Sequence, residues 1–235
     1  MKICIIGHTG FIGQTVYNEL SKFHFVFGIS RSESSTGVFN LEFDVVINCA
    51  GVSSKYNTKR HPFLAFKNEC DILNLISKIR FKKLIHVSSI DAKRKSKYGI
   101  IKRIVELIIH RRYPNSLILR PAGFVGPNLK KNVVFDIIND HNVYASPISE
   151  YNYISTIEFA KIINTILEKE TEISFLEVGA SCSISVEKIA RILKKRPFYY
   201  GKYKETYCVN IAELNKLFQV KTSEEYIEEF YEIYR

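Results

Sequence analysis

Three glycines near the N-terminus constrain the fold of this chain more than any other feature. Gly7, Gly10 and Gly13 follow the apolar run Ile3–Ile6 and precede a helical pattern of apolar residues. A short apolar run of this kind is typical of a strand buried on both faces. A strand, a glycine-rich turn and a helix in this order form the setting of a dinucleotide-binding fingerprint. The sequence therefore predicts that the turn binds the phosphates of a dinucleotide.

Each glycine has its own physical role in such a turn. Gly7 permits a sharp turn out of the strand. Gly10 lets the backbone approach a pyrophosphate, and Gly13 lets the helix pack close to the sheet. Free backbone N–H groups and the positive end of the helix dipole then hold the phosphates.

The spacing of the glycines resembles that of one known superfamily. Gly-x-x-Gly-x-x-Gly in Gly7–Gly13 differs from the Gly-x-Gly-x-x-Gly of the general Rossmann turn. It resembles the short-chain dehydrogenase/reductase superfamily, most of all its extended branch, the NAD-dependent epimerase/dehydratase family. Three other segments carry the resemblance, namely Asp44–Gly51, Ser88–Lys102 and Leu119–Pro127.

The resemblance implies an α/β fold, a Rossmann-like doubly wound parallel sheet with a small C-terminal substrate lobe. We expect residues 1–125 to form the NAD(P)-binding core, with residues 150–180 returning to it. Residues 126–235 are expected to form mainly the substrate-binding lobe and the C-terminal helices. A chain of 235 residues is long enough to bury a full core.

The chain is basic, with a net charge of +10 and a pI near 9.3. Its basic residues are dispersed, and only Lys93–Lys97 and His110–Arg112 are dense clusters. No motif for nucleic-acid binding accompanies them. The charge therefore favours a solvated lysine-rich surface and an anionic nucleotide substrate over a nucleic-acid partner.

Composition indicates a cytoplasmic protein. No apolar run is long enough to span a membrane, and the N-terminus is typical of a strand rather than a signal peptide. The five cysteines are scattered without a Cys-x-x-Cys pair, and Cys4 and Cys49 fall in predicted core strands. Reduced buried thiols, without a metal site, fit this pattern best.

The choice of cofactor depends on the end of the predicted second strand, Phe25–Ser30. An acidic residue there selects NAD through the ribose 2′-hydroxyl, whereas an arginine accommodates the 2′-phosphate of NADP. The sequence has Arg31 at this point and no acid before Glu33. We therefore expect NADP(H), with NAD(H) as the alternative and Arg31 as a solvated loop residue in that case.

The chain is compressed between Ser32 and Asp44. This stretch has room for a short strand near Thr36–Asn40 but not for the crossover helices of a complete doubly wound unit. A buried strand, Phe43–Ala50, follows and ends at Gly51. The trimmed crossovers predict an open adenine side.

The candidate chemistry lies in a Tyr-x-x-x-Lys pair. Tyr98 and Lys102 are four residues apart on a predicted helix, so their side chains share one face. A tyrosine with a pKa near 10 is a poor acid–base group at neutral pH unless its phenolate is stabilised. A cation one turn away lowers that pKa. A strand, Lys83–Ser88, runs into Ser89 just before the pair.

The resemblance assigns roles to these residues. It implies that Ser89 binds the substrate oxygen, that Tyr98 donates the proton, and that Lys102 tunes Tyr98 and binds the nicotinamide ribose. Ser88 is expected to brace the strand end. The implied cofactor contacts are Gly7, Thr9, Gly10, Phe11, Ile12, Gly13, Arg31, Ala50, Gly51, Lys102 and Pro121.

The interval between Ser89 and Tyr98 is shorter than is usual in the extended branch. It contains Asp91–Lys97, a tight basic loop that we expect at the mouth of the site and that could move Ser89 out of reach. Asp91 is either a base that faces the substrate or a cap of this loop.

The remaining elements are predicted from apolar periodicity and from the resemblance. The predicted helices and strands are Pro62–Ile79, Ser116–Arg120, a segment Tyr151–Ala160 that leads into a helix ending at Leu167, Phe175–Ala180, Val186–Leu193, Ile211–Phe218 and Ser223–Tyr234. A homodimer through the helix Tyr98–His110 is implied by analogy alone.

The reaction is narrowed by what the chain lacks. Sugar-nucleotide members of the family usually have an asparagine where this chain has Gly123 and an arginine near Tyr151. Gly123 and Asp91 are the candidate substrate contacts. Dehydratases have an acid directly after the catalytic serine or threonine, whereas Ile90 cannot donate a proton, which argues against 4,6-dehydration.

Three functions remain. The first is NAD(P)-dependent reduction of a keto group, on a nucleotide-linked (deoxy)sugar in the synthesis of cell-surface polysaccharide precursors. The second is an NAD-dependent nucleotide-sugar 4-epimerase that uses the same residues. The third, motivated by the trimmed crossovers, is a non-catalytic NAD(P)-binding regulatory or assembly protein.

Overall fold

A computed structural model describes residues 1–30, 37–169 and 172–234. Its described residues form ten strands and nine α-helices. The strands are β1 (Lys2–Ile6), β2 (Phe25–Ile29), β3 (Glu42–Asn48), β4 (Arg80–Val87), β5 (Ser116–Pro121), β6 (Gly123–Val125), β7 (Glu150–Tyr151), β8 (Tyr153–Ser155), β9 (Phe175–Val178) and β10 (Ile184–Ser185). The helices are α1 (Phe11–Leu20), α2 (Lys55–Arg60), α3 (Pro62–Ile76), α4 (Lys97–Arg112), α5 (Val133–Ile138), α6 (Thr156–Glu168), α7 (Val186–Ile192), α8 (Ala212–Asn215) and α9 (Ser223–Tyr234). Two 3₁₀ turns, Val38–Asn40 and Ile90–Lys93, complete the description.

The main sheet has six strands in the order β2-β1-β3-β4-β5-β9. The first five pair in parallel, with Ile3 opposite both Val26 and Val45. Ile3, Cys4 and Ile5 have no exposed surface, as expected for a central strand covered on both faces. The predicted α/β, Rossmann-like parallel sheet is confirmed.

The strand order explains where a ligand can bind. The chain goes from β1 outward to β2 and then returns to the other side of β1 to form β3. In open parallel sheets such a switch opens a crevice at the carboxyl ends of the strands. The glycine-rich turn after β1 and the Ala50–Gly51 turn after β3 both lie at this edge.

The compressed stretch differs from one prediction. The strand predicted near Thr36–Asn40 is wrong, because Val38–Asn40 forms a single 3₁₀ turn; Thr36 itself lies outside the described residues. Val38 is buried in the cluster that contains Phe43 and Ile29, so its side chain is used for packing rather than for strand pairing. Among the described residues between β2 and β3, this turn is the only helical segment.

The predicted helix over Ile211–Phe218 is also shorter than expected. Only Ala212–Asn215 is helical, and Leu214 is the one fully buried residue in this helix. A stable amphipathic helix buries apolar residues over successive turns. With a single inward residue, the segment keeps one turn of helix.

By its internal contacts the chain divides into two compact units. The first comprises Met1–Pro121 and Glu170–Leu176, and the second comprises Ala122–Lys169 and Glu177–Arg235. In the second unit β6 pairs with β8 in parallel and β7 pairs with β10 in antiparallel fashion. The assignment of a substrate-binding role to the C-terminal part stays a prediction.

Two further features bear on the expectations from composition. Burial raises the pKa of the thiols of Cys4 and Cys49 to about 12, so both stay protonated at neutral pH. Across the described parts of the chain, every helix is too short or too polar to cross a membrane.

Candidate active site

The glycine-rich turn has the geometry that its sequence predicts. Gly7 has a φ of +82°, and a Cβ there would lie 2.9 Å from the Ala50 nitrogen. A Cβ on Gly13 would lie 2.1 Å from the Gly7 carbonyl oxygen, which is far inside contact distance. Both positions therefore require glycine, the first for its conformation and its neighbour, the second for close packing of α1 on the turn.

The start of α1 is open to an anion. Gly10 is the N-cap residue, no side chain caps the first turn, and no acidic residue lies in that turn. Thr9 and Gly10 are exposed, and Phe11 and Ile12 are half-buried. The first N–H groups of a helix and its dipole favour a phosphate at such a position.

The start of α4 places Tyr98 beside Ser89. The Ser96 hydroxyl caps α4 by accepting from the Gly99 N–H at 3.0 Å. A Cβ on Gly99 would lie 2.2 Å from the Asp91 carbonyl oxygen, so α4 packs directly on the 3₁₀ turn that follows Ser89. Despite the short loop, the Ser89 hydroxyl lies close enough to Tyr98 to lower the pKa of Tyr98. The loop therefore keeps Ser89 within reach.

The ionisation of Tyr98 is shifted against the predicted direction. Burial raises its pKa, and the nearby Asp91 carboxylate adds to the rise. Lys102 lowers the pKa as the sequence predicts, and the nearby Ser89 hydroxyl also lowers it, but burial outweighs both. The predicted effect of Lys102 on the Tyr98 pKa is therefore correct. The expectation that the pKa of Tyr98 lies below its ordinary value is wrong, because burial raises it.

Lys102 lies in a buried ion pair that the sequence analysis missed. Its Nζ is 2.7 Å from Glu69 Oε1 on α3, and the two side chains are 3% and 1% exposed. Glu69 Oε1 also accepts from the Val52 N–H at 2.9 Å. The Lys102 Nζ lies 5.8 Å from the centroid of the Tyr98 ring.

The ion pair keeps Lys102 charged. Burial by itself lowers the pKa of Lys102, but the negative charge of a Tyr98 phenolate and the Glu69 carboxylate outweigh it and raise the pKa. Sequence did contain a signal for Glu69. Ala65, Ile72 and Leu73 form the buried stripe of α3, and Glu69 is a charged residue on that stripe.

Asp91 organises the loop before α4. It is 5% exposed and forms an ion pair with Lys55 at 2.8 Å. Its N–H donates to the Ser89 hydroxyl at 3.2 Å, which caps the 3₁₀ turn. Of the two predicted roles, these contacts favour the cap, and the role of a base facing the substrate stays a prediction.

Ser88 is tied to α4 through a buried carboxylate. Its hydroxyl donates to Glu106 Oε1 at 2.6 Å. Arg120 on β5 donates to both oxygens of Glu106, at 2.9 and 2.5 Å. This network fixes the end of β4 next to Ser89, which is the bracing role expected for Ser88.

A second buried network shapes the turn after β3. Asn48 Oδ1 accepts from the Ala50 N–H at 3.1 Å, and Asn48 Nδ2 lies 2.9 Å from His86 Nδ1. His86 on β4 has no exposed surface, and its burial, together with the charge of Lys102, lowers its pKa to about 3. A neutral His86 thus helps to hold Ala50 beside Gly7.

Three predicted site residues, Pro121, Gly123 and Arg31, lie outside the networks described above. Pro121 ends β5 in the first unit. Gly123 lies on β6 in the second unit, where a Cβ would meet the Tyr153 ring at 2.7 Å, so packing alone requires glycine there. Arg31, on which the NADP(H) prediction rests, lies outside the described residues.

No protein-family model matches the chain, and no curated protein matches its sequence. Solved structures match its fold. UDP-glucose 4-epimerase from Thermotoga maritima, solved with UDP-glucose, is 20% identical over 100% of this chain and 99% of its own, with a TM-score of 0.83. A variant of UDP-glucuronic acid 4-epimerase from Bacillus cereus, solved with a fluorinated UDP-sugar and NAD, is 16% identical over 99% and 98%, with a TM-score of 0.84.

A dehydratase matches in the same way. dTDP-glucose 4,6-dehydratase from Bacillus anthracis, solved with NAD, is 15% identical over 100% of this chain and 96% of its own, with a TM-score of 0.78. Over its full length the structure thus has the fold of these nucleotide-sugar epimerases and dehydratases, which is the fold that the resemblance predicts. At these identities the likeness is one of fold.

Proposed function

We propose that the protein is an NAD-dependent 4-epimerase of a nucleotide sugar. The observation that carries the proposal is the placement of Ser89, Tyr98 and Lys102 together at the carboxyl edge of the sheet. The glycine turn that suits a dinucleotide phosphate lies at the same edge. Of the three matching structures described above, two are 4-epimerases of UDP-sugars and two contain NAD.

The residues fit a nicotinamide dinucleotide. The turn at Gly7–Gly13 has uncapped N–H groups for the pyrophosphate. A Cβ on Gly51 would lie 2.8 Å from Lys102 Nζ, so the missing side chain leaves the backbone directly beside a charged donor. When bound, NAD supplies the redox chemistry by taking up and returning a hydride.

Tyr98, Ser89 and Lys102 transfer the proton and orient the sugar. The Tyr98 phenolate, which Lys102 stabilises against the effect of burial, takes the proton from the hydroxyl at sugar C4 and gives it back after the sugar has turned. Ser89 donates a hydrogen bond to the same sugar oxygen and holds it against Tyr98. Lys102 remains protonated throughout because Glu69 neutralises it in the buried pair.

Ile90 and Arg31 bear on the choice among dehydration, keto reduction and epimerisation. Ile90, directly after Ser89, is buried and apolar, so it supplies no acid for the elimination of water. The sequence favoured keto reduction, and its preference for NADP(H) rested on Arg31. The matching structures with NAD and the two epimerases favour the epimerase.

The test is conversion of UDP-sugars without added reduced cofactor. UDP-glucose, UDP-N-acetylglucosamine and UDP-glucuronic acid are each incubated with purified protein and NAD+, and the C4 epimers are separated by chromatography. We expect one of the three to reach equilibrium with its epimer. Tyr98→Phe should slow conversion by about 10²- to 10⁴-fold while NAD+ affinity changes little.

Two outcomes would replace the proposal. Steady oxidation of NADPH with a keto sugar, and no epimerisation, would establish the reductase. Binding of NAD+ with no conversion of any UDP-sugar would favour the non-catalytic cofactor-binding protein.

A further inference from the structure

The buried carboxylate of Glu69 is unusual for a structural residue. It lies on the apolar stripe of α3 and is 1% exposed. Replacement of a buried ion pair by apolar residues of similar volume is often neutral or stabilising for folding. Packing of α3 therefore gives no reason for a glutamate at this position.

The hydrogen bonds of Glu69 are incomplete. Oε1 accepts from Lys102 Nζ and from the Val52 N–H. Oε2 is buried and has no hydrogen-bond partner among the described residues. A carboxylate that only supported the fold would have partners for both oxygens, because an unpaired buried acceptor destabilises the folded state.

Lys102 also has unused hydrogen-bonding capacity. Its Nζ makes one hydrogen bond within the described residues, to Glu69. An ammonium group has three N–H donors, so two remain for a ligand. The ion pair is therefore held in place by the Val52 N–H, and its unused hydrogen-bonding groups are Glu69 Oε2 and two N–H donors of Lys102.

The ion pair lies directly beside Gly51 in the turn after β3. A Cβ on Gly51 would lie 2.8 Å from Lys102 Nζ, 3.2 Å from Glu69 Oε1 and 3.5 Å from Glu69 Oε2. Ala50, one residue earlier, contacts Gly7 of the glycine turn. Lys102 is thus held one residue away from the part of the turn that suits a pyrophosphate.

The topology indicates which part of a dinucleotide reaches Lys102. In this fold the adenine ribose lies at the end of β2, and the dinucleotide crosses the switch between β1 and β3. The group that follows the pyrophosphate on the β3 side is the second ribose. Its two hydroxyls are acceptors and donors that suit an ammonium group paired with a carboxylate.

We propose that Glu69 is a positioning residue of this site, which holds Lys102 beside Gly51 so that its free N–H groups bind the ribose on the nicotinamide side. Glu69 acts through Lys102. The inference rests on the proposed function, because it assumes that the glycine turn binds NAD.

The test compares three ligands by calorimetric titration. ADP-ribose and NAD+ contain the second ribose, whereas ADP ends at the pyrophosphate. Wild-type protein should bind ADP-ribose at least about tenfold more tightly than ADP, because a hydrogen bond to a charged group contributes about 1.5–3 kcal/mol. Glu69→Gln should reduce this ratio about tenfold and weaken NAD+ binding equally, while ADP binding stays unchanged.

The matched control is Glu106→Gln. Glu106 is also a buried glutamate in an ion pair, but its partners are Arg120 and Ser88. Loss of its charge should lower stability without changing the ratio. Glu69→Asp is the second variant: it keeps the charge, retracts the carboxylate by one methylene, and should also lower the ratio.

The outcomes separate the inference from the proposed function. An unchanged ratio in Glu69→Gln and Glu69→Asp would overturn the positioning role. A higher ratio would overturn it too, since it would mean that Glu69 withholds Lys102 from the ligand. If wild-type protein binds NAD+, ADP-ribose and ADP with equal affinity, the inference fails alone. If it binds none of them, the proposed function fails as well.

Discussion

The proton-transfer capacity of Tyr98 depends on two neighbours of opposite charge. Lys102 lowers the pKa of Tyr98, and Asp91 raises it. Asp91 lies in the short loop before α4 and forms an ion pair with Lys55 of α2. The short loop therefore affects the chemistry by bringing a carboxylate close to the phenol.

These two charges predict opposite shifts of the pH–rate profile. Epimerisation requires the Tyr98 phenolate, so its rate rises with pH through the pKa of Tyr98. Lys102→Met removes a cation, raises that pKa further and should move the rise to higher pH. Asp91→Asn removes an anion and should move it to lower pH. The measurement is the rate constant of conversion as a function of pH.

Tyr98→Phe is the control for this experiment, since any residual rate in that variant should not follow the same rise. Shifts of both variants in the same direction would contradict the assignment of the profile to Tyr98.

His86 predicts a separate pH dependence, that of stability. Its folded-state pKa is about 3, below the unfolded value of 6.5. The unfolded chain binds a proton below pH 6.5 while the folded protein does not, so stability is complete above pH 6.5 and falls as the pH is lowered towards 3. Between pH 6.5 and 5 the expected loss is roughly 2 kcal/mol.

Urea unfolding at both pH values measures this loss. His86→Gln keeps an acceptor for Asn48 and has no titrating ring, so its loss over the same interval should be about 2 kcal/mol smaller than that of the wild type. Equal losses in the two proteins would show that His86 does not contribute.

At the level of elements, local patterns predicted most of the fold. The helix around Tyr98 and Lys102 was predicted because its apolar residues recur at helical spacing, and α4 spans Lys97–Arg112. The errors fell on short segments. Val38–Asn40 and Ala212–Asn215 each have too few residues for a period to be recognised.

In the candidate site, too, the local features were predictable from the sequence and the long-range contacts were not. Gly7–Gly13 and the Tyr98–Lys102 pair were predictable because their geometry is set by neighbours in sequence. Glu69 reaches Lys102 across 33 positions, and Asn48 reaches His86 across 38. Such contacts are set by the register of strands and by helix packing, which a single sequence does not specify.

Two glycine variants test the packing of α1 on the turn. Gly13→Ala places a Cβ 2.1 Å from the Gly7 carbonyl oxygen, so we expect a loss of about 1–3 kcal/mol in stability and of NAD+ binding. Gly37→Ala is the matched control, because a Cβ there meets nothing within 4 Å and its φ of −65° suits alanine. It should stabilise the protein by about 0.4–1 kcal/mol.

Thermal and urea unfolding of both variants, with NAD+ titration, provide the comparison. A Gly13→Ala protein as stable as the wild type and with full NAD+ affinity would contradict the close packing of the turn.

At the scale of the molecule, the exposed apolar residues of α3 and α4 predict a homodimer. On α4, Ile100, Ile104 and Leu107 are 47%, 38% and 54% exposed. Phe63 and Leu64 on α3, which packs beside α4, are 90% and 58% exposed. By their spacing, Ile100, Ile104 and Leu107 share one face of α4, and an exposed apolar face of this kind is typical of protein–protein interfaces.

Light scattering after size-exclusion chromatography measures the assembly. Wild-type protein should have the mass of a dimer, and the double variant Ile104→Glu/Leu107→Glu should have the mass of a monomer. Ile233→Glu changes an apolar residue on α9 that is 69% exposed and should leave the dimer intact. A monomeric wild-type protein would contradict the prediction.

The most direct test of the central claim, that the first unit binds a nicotinamide dinucleotide at Gly7–Gly13, is calorimetric titration of the purified protein with NAD+. NADP+ is titrated in parallel. We expect saturable binding of one NAD+ per chain, tighter than that of NADP+. Tighter binding of NADP+ would instead support Arg31 as the partner of the 2′-phosphate and the reductase as the function. No binding of either dinucleotide would contradict the central claim and remove the basis for an enzyme of this family.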